Sequence, residues 1–368
     1  MRLHHPHGGN IAAFAAVCRC RPDEVIDLSS NINFVKPRLD IDFNALSIAP
    51  YPDYTDLYQA VAAHYRLETR QVWLTNGATA AIDALFGYLG ETLGGSVILH
   101  TPIYAEYPVS AARYGFHVTH RPRKMTPDAD TSLPARNASH LHSDIWAPAF
   151  VSHTSQASYG HEIFVIVNPA TPDGQWYDIR REVSALLEAG HTVIVDESFI
   201  EFAARPSLRT LIARYENLFI IHSLTKYWGA AGVRVGALFA APKHIDALRT
   251  RQPLWSISAF DSAYIQAALR DSTFAARSRE ANARAKAKLC AILRDFAYTD
   301  TLIEGEANFV LLRLHTIDAE ILQRRLARYR ILVRNCANFE GLNSRYVRLA
   351  VKDEAALDTL QEALRALT

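Results

Sequence analysis

Lys226 stands in an apolar stretch, SLTKYWGAAGVRVG, which runs from Ser223 to Gly236. A lysine in such surroundings is either a surface residue with its amine in water or a buried amine that can do chemistry. Burial favours the neutral form of an amine, and a neutral amine can form a Schiff base with an aldehyde. Arg234, eight residues further along, carries a guanidinium group that can bind phosphate. The stretch therefore predicts carbonyl chemistry beside an anion site.

Further candidate groups follow short apolar runs of the sequence. Asp196 follows TVIV, Ser223 closes LFIIHS, and Tyr104 lies in TPIYAEY after SVILH. Thr171 lies in NPATPDG, after IFVIV. Catalytic groups in open α/β sheets lie at the carboxyl ends of the strands. We therefore expect these side chains to converge with Lys226 at one rim of a sheet.

This set of groups matches the requirements of pyridoxal phosphate. A carboxylate such as that of Asp196 can hold a pyridine nitrogen protonated, which makes the ring an electron sink. An aromatic side chain such as that of Tyr104 can stack on the ring. A glycine turn that opens into a helix supplies backbone N–H groups for a phosphate. The candidates for the phosphate are Gly77, Ala78, Thr79, Ser223 and Arg234.

Five continuous apolar runs predict strands that are covered on both faces. They lie at 96–100, 163–168, 192–197, 218–223 and 235–240. Helical patterns lie between them, which indicates the α/β class, with a mainly parallel sheet flanked by helices.

From about residue 245 the pattern changes to a long helical segment over 261–296 and then to short strands and helices. We expect a large cofactor-binding domain over 41–245 and a smaller α+β domain over 246–368. Residues 1–40 show little regular pattern and predict an N-terminal arm. Residues 121–160 are polar and lack periodicity, which predicts a long excursion from the sheet.

Composition narrows the possible partners and location. The 368 residues include 39 basic and 38 acidic side chains, a net charge of +1, which gives no electrostatic reason to expect nucleic acid or an anionic membrane as a partner. No apolar run is long enough to span a bilayer, and the N-terminus lacks the pattern of a signal peptide. The four cysteines include no C-x-x-C pair, which favours reduced thiols and a cytoplasmic location. The initial HHPH has no second ligand cluster, so we expect no metal.

Over nearly its whole length the chain resembles the fold-type I pyridoxal-phosphate enzymes of the aminotransferase superfamily. SLTKYWGAAGVRVG is similar to their segment S-x-[TS]-K…G-x-R-x-G. The resemblance implies that Lys226 holds the cofactor covalently, that Asp196 pairs with its pyridine nitrogen and that Tyr104 stacks on it. It also implies that Ser223 and Arg234 bind the cofactor phosphate. Tyr51, in YPDYTDL, matches the tyrosine that reaches the cofactor phosphate of the partner subunit, which implies a homodimer with shared active sites.

Within that superfamily the sequence resembles the threonine-phosphate decarboxylases of cobalamin biosynthesis, which are relatives of the histidinol-phosphate aminotransferases. HGGN at 7–10 and ILVRNCANFEGLNSRYVRLAV at 331–351 carry this resemblance. It implies a set of substrate ligands, with Gly8 donating its backbone N–H. The set is His7, Gly8, Asn31, Thr171, Arg334 and Arg348.

Two features of that set can be examined from the residues themselves. Arg348 lies inside the apolar run YVRLAV, where an unpaired guanidinium would be costly, so a bound anion is a natural partner. The usual family motif N-P-N-N-P-T-G is NPATPDG in this chain, so that Thr171 replaces the asparagine that contacts the cofactor's 3′-oxygen and the substrate. A threonine hydroxyl can still donate a hydrogen bond, but from a shorter side chain.

The resemblance implies decarboxylation of an amino-acid O-phosphate. The expected reaction converts threonine O-phosphate to 1-amino-2-propanol O-phosphate, or serine O-phosphate to ethanolamine phosphate. The alternative is a phosphosubstrate aminotransferase, because the bond that breaks is the one perpendicular to the cofactor ring and the sequence does not show that angle. A cofactor-binding regulatory domain is a third reading, which the lack of a helix-turn-helix region and of a basic bias disfavours.

Overall fold

The computed structural model describes residues 8–123 and 160–367, and the predicted excursion over 121–160 lies almost entirely outside them. The strands are β1 (Ile26–Asp27), β2 (Val72–Thr75), β3 (Ser96–Thr101), β4 (His117–Pro122), β5 (Glu162–Val167), β6 (Thr192–Asp196), β7 (Leu218–Ser223), β8 (Gly236–Phe239), β9 (Thr299–Ile303), β10 (Phe309–Leu314), β11 (Ile331–Leu332), β12 (Arg334–Asn335) and β13 (Tyr346–Ala350). The α-helices are α1 (Ile11–Cys18), α2 (Thr55–Tyr65), α3 (Ala78–Thr92), α4 (Glu106–Arg113), α5 (Arg180–Glu188), α6 (Ile200–Ala203), α7 (Leu224–Tyr227), α8 (Pro242–Arg249), α9 (Ala259–Arg270), α10 (Phe274–Arg294), α11 (Ala319–Leu326) and α12 (Glu354–Arg365).

A seven-stranded sheet has the order β2-β8-β7-β6-β5-β3-β4. The pairs from β4 across to β7 are parallel, and β8 is antiparallel to both of its neighbours. The side chains of β5, β6 and β7 are buried on both faces almost throughout, which explains why their sequences are continuously apolar. The five predicted strands correspond to β3, β5, β6, β7 and β8, and the α/β class is confirmed.

A second sheet has the order β12-β13-β10-β9, with antiparallel pairs throughout. A hydrophobic core joins one face of this sheet to apolar side chains of α10, α11 and α12. In the register of β12 and β13, Arg334 lies directly opposite Arg348. This pairing places two of the predicted anion ligands side by side.

The N-terminal segment has more regular structure than its sequence predicts. Asn10 accepts a hydrogen bond from Ala13 N and caps α1, and β1 pairs in parallel with β11. The local sequence pattern does not reveal the pairing of β1, because its partner β11 lies far along the chain. The boundaries proposed for the arm and the two domains stay predictions.

The helical segment predicted over 261–296 is interrupted between α9 and α10. Asp271 accepts hydrogen bonds from the backbone N–H and the hydroxyl of Thr273, at 3.0 and 2.6 Å. Such local bonds compete with the helical hydrogen-bond pattern, which accounts for the break.

Among the described residues, none of the helices combines the length and the apolar character that a membrane span would require. The cytoplasmic location stays a prediction.

Candidate active site

A cavity of about 260 Å³ opens at the carboxyl ends of the parallel strands, between the two sheets. It brings together most of the residues that the sequence analysis selected. Those that line it are Gly8, Asn31, Ala78, Thr79, Tyr104, Thr171, Asp196, Ser223, Lys226, Arg234, Arg334 and Arg348. Gly77 precedes Ala78 at the start of α3, Tyr51 does not line the cavity, and His7 lies outside the described residues.

Lys226 enters the cavity from α7, which directly follows β7. Its Nζ lies 5.3 Å from the centroid of the Phe199 ring. Burial lowers the pKa of the amine; the Asp196 carboxylate opposes this shift, and the guanidinium groups of Arg234 and Arg348 add to it. A larger share of the amine is therefore neutral and nucleophilic than in an ordinary lysine.

Asp196 is the last residue of β6, and its carboxylate is held at both oxygens. Tyr107 donates its hydroxyl to Oδ2 at 2.8 Å, and the backbone N–H of Ser198 donates to Oδ1 at 2.9 Å. Tyr107 is completely buried, and burial raises the pKa of its phenol well above the ordinary value, so it remains a donor. Tyr107 was not among the predicted site residues. Its position three residues after Tyr104, at the start of α4, could have identified it.

Close packing at the start of α3 forms a concave site for an anion. Gly77 has a φ of 78°, and a Cβ there would collide with the guanidinium of Arg234. A Cβ at Gly236 would collide with the backbone of Gly77 and Ala78. The two glycines therefore allow β8 to approach the helix, which brings Arg234 to the positive end of α3.

Two pairs of hydroxyl groups complete this part of the cavity. Ser223 Oγ and Thr225 Oγ1 lie 2.9 Å apart, and Thr79 Oγ1 lies 3.4 Å from the hydroxyl of Tyr104. Thr225 lines the cavity although it was not among the predicted ligands. Its place two residues after Ser223, in the same turn, is the feature of the sequence that could have indicated it.

The opposite wall carries Arg334 and Arg348, both of which are less than a tenth exposed. Burial lowers the pKa of both guanidinium groups, and it lowers that of Arg348 to about 10; the charge of Arg334 contributes to the latter shift. Like charges directly opposite each other in a sheet are destabilising. An anion bound between the two groups would remove this cost.

The contacts of Arg348 leave part of its donor capacity for a ligand. Nη1 donates to Thr171 Oγ1 and Nη2 to Ser29 O, both at 3.2 Å. Its Nε is buried and has no hydrogen-bond partner among the described residues, and the same holds for Oδ1 of Asn31. Arg334 donates to Asn338 Oδ1 at 2.7 Å.

Aromatic rings lie beside both arginines. The guanidinium carbon of Arg348 is 5.1 Å from the Phe309 centroid, and that of Arg334 is 5.3 Å from the Phe339 centroid. Phe339 also lines the cavity, but nothing in its sequence context indicated this.

Tyr51 lies on the surface with 74% of its area exposed, and its ring stacks on Trp255 with a centroid separation of 4.1 Å. Its predicted reach into the site of a partner subunit stays a prediction.

The family model described as aminotransferase class I and II matches residues 24–364. The chain belongs to this family. It is 30% identical to threonine-phosphate decarboxylase from Salmonella typhimurium, over 98% of this chain and 95% of that protein. It is 26% identical to the adenosylcobalamin biosynthesis bifunctional protein CobDQ from Leptospira interrogans, over 94% of this chain but only 39% of that protein. Histidinol-phosphate aminotransferase from Clostridium acetobutylicum has a similar structure, with a TM-score of 0.77 and 25% identity over 92% of this chain and 98% of that one.

The cofactor of this class I and II aminotransferase chain is pyridoxal phosphate. The cavity fits it on independent grounds. A desolvated amine, a buried carboxylate with fixed orientation and a concave helix start lined by Arg234 lie around one space. Lys226, Asp196 and Arg234 would hold its aldehyde carbon, pyridine nitrogen and phosphate respectively.

Proposed function

We propose that this enzyme decarboxylates an amino-acid O-phosphate, with threonine O-phosphate as the first candidate and serine O-phosphate as the second. The observation that carries the proposal is the pair of buried arginines, Arg334 and Arg348, on the wall of the cavity opposite the cofactor groups. Two guanidinium groups can bind a doubly charged phosphate and a carboxylate in fixed geometry. The similarity to a threonine-phosphate decarboxylase supports the same substrate class.

When bound, pyridoxal phosphate supplies an electron sink for whichever Cα bond stands perpendicular to its ring. The residues of the chain decide which bond that is. Arg348 and Arg334 hold the anionic groups of the substrate and thereby fix rotation about its Cα. Asp196, oriented by Tyr107 and Ser198 N, keeps the pyridine nitrogen protonated.

Lys226 then moves a proton. In its ammonium form, Lys226 would donate a proton to Cα of the substrate after carbon dioxide has left. The lowered pKa of this amine suits proton transfer better than that of an ordinary lysine, because its pKa is closer to neutral pH. The product retains the phosphate and becomes a phosphorylated amino alcohol.

The N-terminal segment completes the substrate site in this proposal. Gly8 and Asn31 line the cavity next to the arginines, and a Cβ on Gly8 would lie 2.5 Å from Ser29 O. The segment therefore approaches the cavity through a position that only glycine fits. His7, Gly8 and Asn31 are proposed to bind the substrate phosphate.

The second candidate is transamination of a phosphorylated substrate. Its support is the structural similarity to a histidinol-phosphate aminotransferase. The opposed arginines serve both reactions, since both substrates carry phosphate. The two candidate reactions differ in the bond that is perpendicular to the cofactor ring, which is Cα–COO⁻ for decarboxylation and Cα–H for transamination.

One assay separates the candidates. The purified protein, loaded with pyridoxal phosphate, is incubated with threonine O-phosphate, with serine O-phosphate and with histidinol phosphate, each with and without 2-oxoglutarate. We expect carbon dioxide from threonine O-phosphate or serine O-phosphate without 2-oxoglutarate. A single methyl group is worth about 1–3 kcal/mol, so both can react. Turnover that requires 2-oxoglutarate and releases no gas would establish transamination instead.

We further propose a homodimer in which Tyr51 enters the site of the partner subunit. The packing of two exposed aromatic side chains supports this proposal, because contiguous exposed apolar surface marks protein interfaces. Tyr51 stacks on Trp255, and both rings are exposed, as is Leu254 beside Trp255 in the sequence.

Sedimentation gives the oligomeric state, and mixed dimers test the sharing of sites. Lys226→Ala and Tyr51→Ala subunits should both be impaired alone, whereas co-refolded mixed dimers regain one intact site. Activity that does not rise on mixing would contradict the shared site.

A further inference from the structure

Arg123 forms a buried ion pair that no part of the proposed chemistry uses. It follows β4, and its backbone N–H donates to Thr101 O at 2.9 Å. Its guanidinium forks onto both carboxylate oxygens of Asp173, Nη1 to Oδ2 and Nη2 to Oδ1. The side chains of Arg123 and Asp173 are only 2% and 0% exposed. Breaking such a pair is strongly destabilising, and an apolar pair would often be equally stable, so its presence calls for a role beyond stability.

The ion pair lies in the loop that departs from the usual family motif. NPATPDG has Ala170 and Thr171 where N-P-N-N-P-T-G has its two central asparagines, and Asp173 where that motif has threonine. Arg123 Nη2 also donates to the backbone carbonyl of Thr171 at 3.1 Å. One guanidinium therefore contacts two of the three departing positions of the loop, Thr171 and Asp173.

The same loop contacts Arg348, on the wall of the cavity opposite the cofactor groups. Thr171 Oγ1 accepts a hydrogen bond from Arg348 Nη1 at 3.2 Å. On its other side, Gly174 O accepts from Ala307 N at 3.2 Å, and Lys286 Nζ donates to Gly305 O and Ala307 O at 3.0 and 2.7 Å. The loop is thus fixed between the end of β4 and the segment that precedes β10.

We propose that Arg123 is a positioning residue: its pair with Asp173 fixes the 168–174 loop so that the Thr171 hydroxyl holds Arg348 in place for the substrate anion. The inference rests on the proposed function only in treating Arg348 as an anion ligand. The groups assigned to the aldehyde carbon, pyridine nitrogen and phosphate of the cofactor, Lys226, Asp196 and Arg234, make no hydrogen bond with Arg123 or Asp173 among the described residues.

The test compares anion binding with cofactor binding in the loaded protein. Inorganic phosphate is titrated into the cofactor-loaded wild type and the Arg123→Met, Thr171→Val and Arg348→Met variants, with calorimetric detection. Arg123→Met should raise the Kd for phosphate about tenfold, since hydrogen bonds to charged groups are worth about that factor or more. In Arg123→Met the absorption spectrum and the affinity for pyridoxal phosphate should stay unchanged. With the preferred substrate, KM should rise more than kcat falls.

Two further variants keep the result interpretable. Arg123→Met/Asp173→Leu leaves no unpaired buried charge, so it should fold even if Arg123→Met does not, and it should show the same weakened phosphate binding. Arg205→Met removes the bidentate ion pair of Arg205 with Glu306, the residue before Ala307. Because the Arg205 side chain is half exposed, this variant should leave the phosphate affinity unchanged.

The phosphate affinity of a double variant tests whether Arg123 acts through Thr171. If Arg123 acts through Thr171, the Arg123→Met/Thr171→Val protein should bind phosphate no more weakly than Arg123→Met alone. A folded double-apolar variant with wild-type phosphate affinity would overturn the positioning role and leave a purely structural one. If Arg348→Met itself leaves phosphate affinity unchanged, the proposed anion site fails first, and that outcome is distinct from failure of the Arg123 inference.

Discussion

The large sheet presents its reactive groups to the cavity from the ends of strands, whereas the small sheet presents two arginines from adjacent strands. On the large-sheet side Asp196 is held by Tyr107 and Ser198 N, and Ser223 by Thr225. On the small-sheet side a buried donor, Arg348 Nε, has no partner among the described residues.

This difference indicates that the large-sheet side holds the cofactor and that the small-sheet side binds the substrate. The partners of the large-sheet groups fix their geometry before any ligand arrives, which suits a cofactor that stays bound. The small-sheet side keeps like charges together at a cost, which a bound substrate anion would remove. Changes on the first side should therefore alter the spectrum of the bound cofactor, and changes on the second should alter only the response to substrate.

The largest effect is expected from Lys226→Ala. The variant loses both the amine that holds the cofactor and the group that donates the proton, and general acid–base catalysis alone is worth about 10²–10⁴-fold in rate. Turnover by carbon dioxide release should fall at least that far, and the absorption of the lysine-bound cofactor should disappear. Lys243→Ala, an exposed lysine in α8, is the matched control. Retained activity in Lys226→Ala would contradict the roles assigned to Lys226 on the large-sheet side.

The same lysine predicts a pH-dependent stability of the cofactor-free protein. The folded-state pKa of Lys226 is lowered by burial, so the unfolded chain binds the proton more readily. As pH falls below the ordinary lysine value of 10.5, the free energy of unfolding falls until the lowered folded pKa is reached. Thermal melts should show Lys226→Met gaining stability over wild type at neutral pH and not above pH 10.5.

Arg348→Met should give the next largest effect. Loss of a buried charged ligand is expected to raise KM for the phosphorylated substrate about 100-fold. The cofactor spectrum should remain that of wild type, because Arg348 lies on the other wall. An altered spectrum would mean that the two sides are not separate. Arg345→Met, at an exposed position three residues earlier, serves as the control.

Tyr107→Phe should have a smaller effect, on the large-sheet side. It removes one hydrogen bond to Asp196, worth about 1.5–3 kcal/mol for a charged acceptor, of which part is lost from the transition state. We expect kcat to fall about tenfold, a shift in the pH titration of cofactor absorbance, and an unchanged Kd for inorganic phosphate. A structural role alone would lower the melting temperature without shifting that titration.

Thr225→Ala should be the mildest change. One neutral hydroxyl contributes about 0.5–1.5 kcal/mol, so the Kd for pyridoxal phosphate should rise about two- to tenfold while KM for substrate stays constant. Thr225→Ser should restore the affinity. A rise in KM without a change in cofactor affinity would place Thr225 on the substrate side instead.

The residues on one side of the cavity were easier to predict from the sequence than those on the other. Asp196 and Ser223 could be located because continuous apolar runs predict strands and strand ends share a rim. Arg348 could be suspected only because it interrupts an apolar run. Its contact with Thr171 joins residues 177 positions apart, and no local pattern encodes such a contact.

Other features depended on tertiary structure in the same way. The pair Arg123–Asp173 spans a stretch of the chain without periodicity, and β1 pairs with β11 across most of the sequence. The helix break at Asp271, by contrast, could have been predicted, because Asp-Ser-Thr favours local side-chain hydrogen bonds over a continuous helix.

A second lysine with a lowered pKa makes the role of Lys226 directly testable. Burial lowers the pKa of Lys286 to about 8, yet its Nζ donates to two backbone carbonyls, and it is not among the residues that line the cavity. Borohydride reduction of the loaded protein, followed by tryptic digestion and mass spectrometry, locates the covalently held cofactor. We expect the label on Lys226, in an uncleaved peptide spanning 215–234. Label on Lys286, in the peptide 285–288, or no label at all would contradict it.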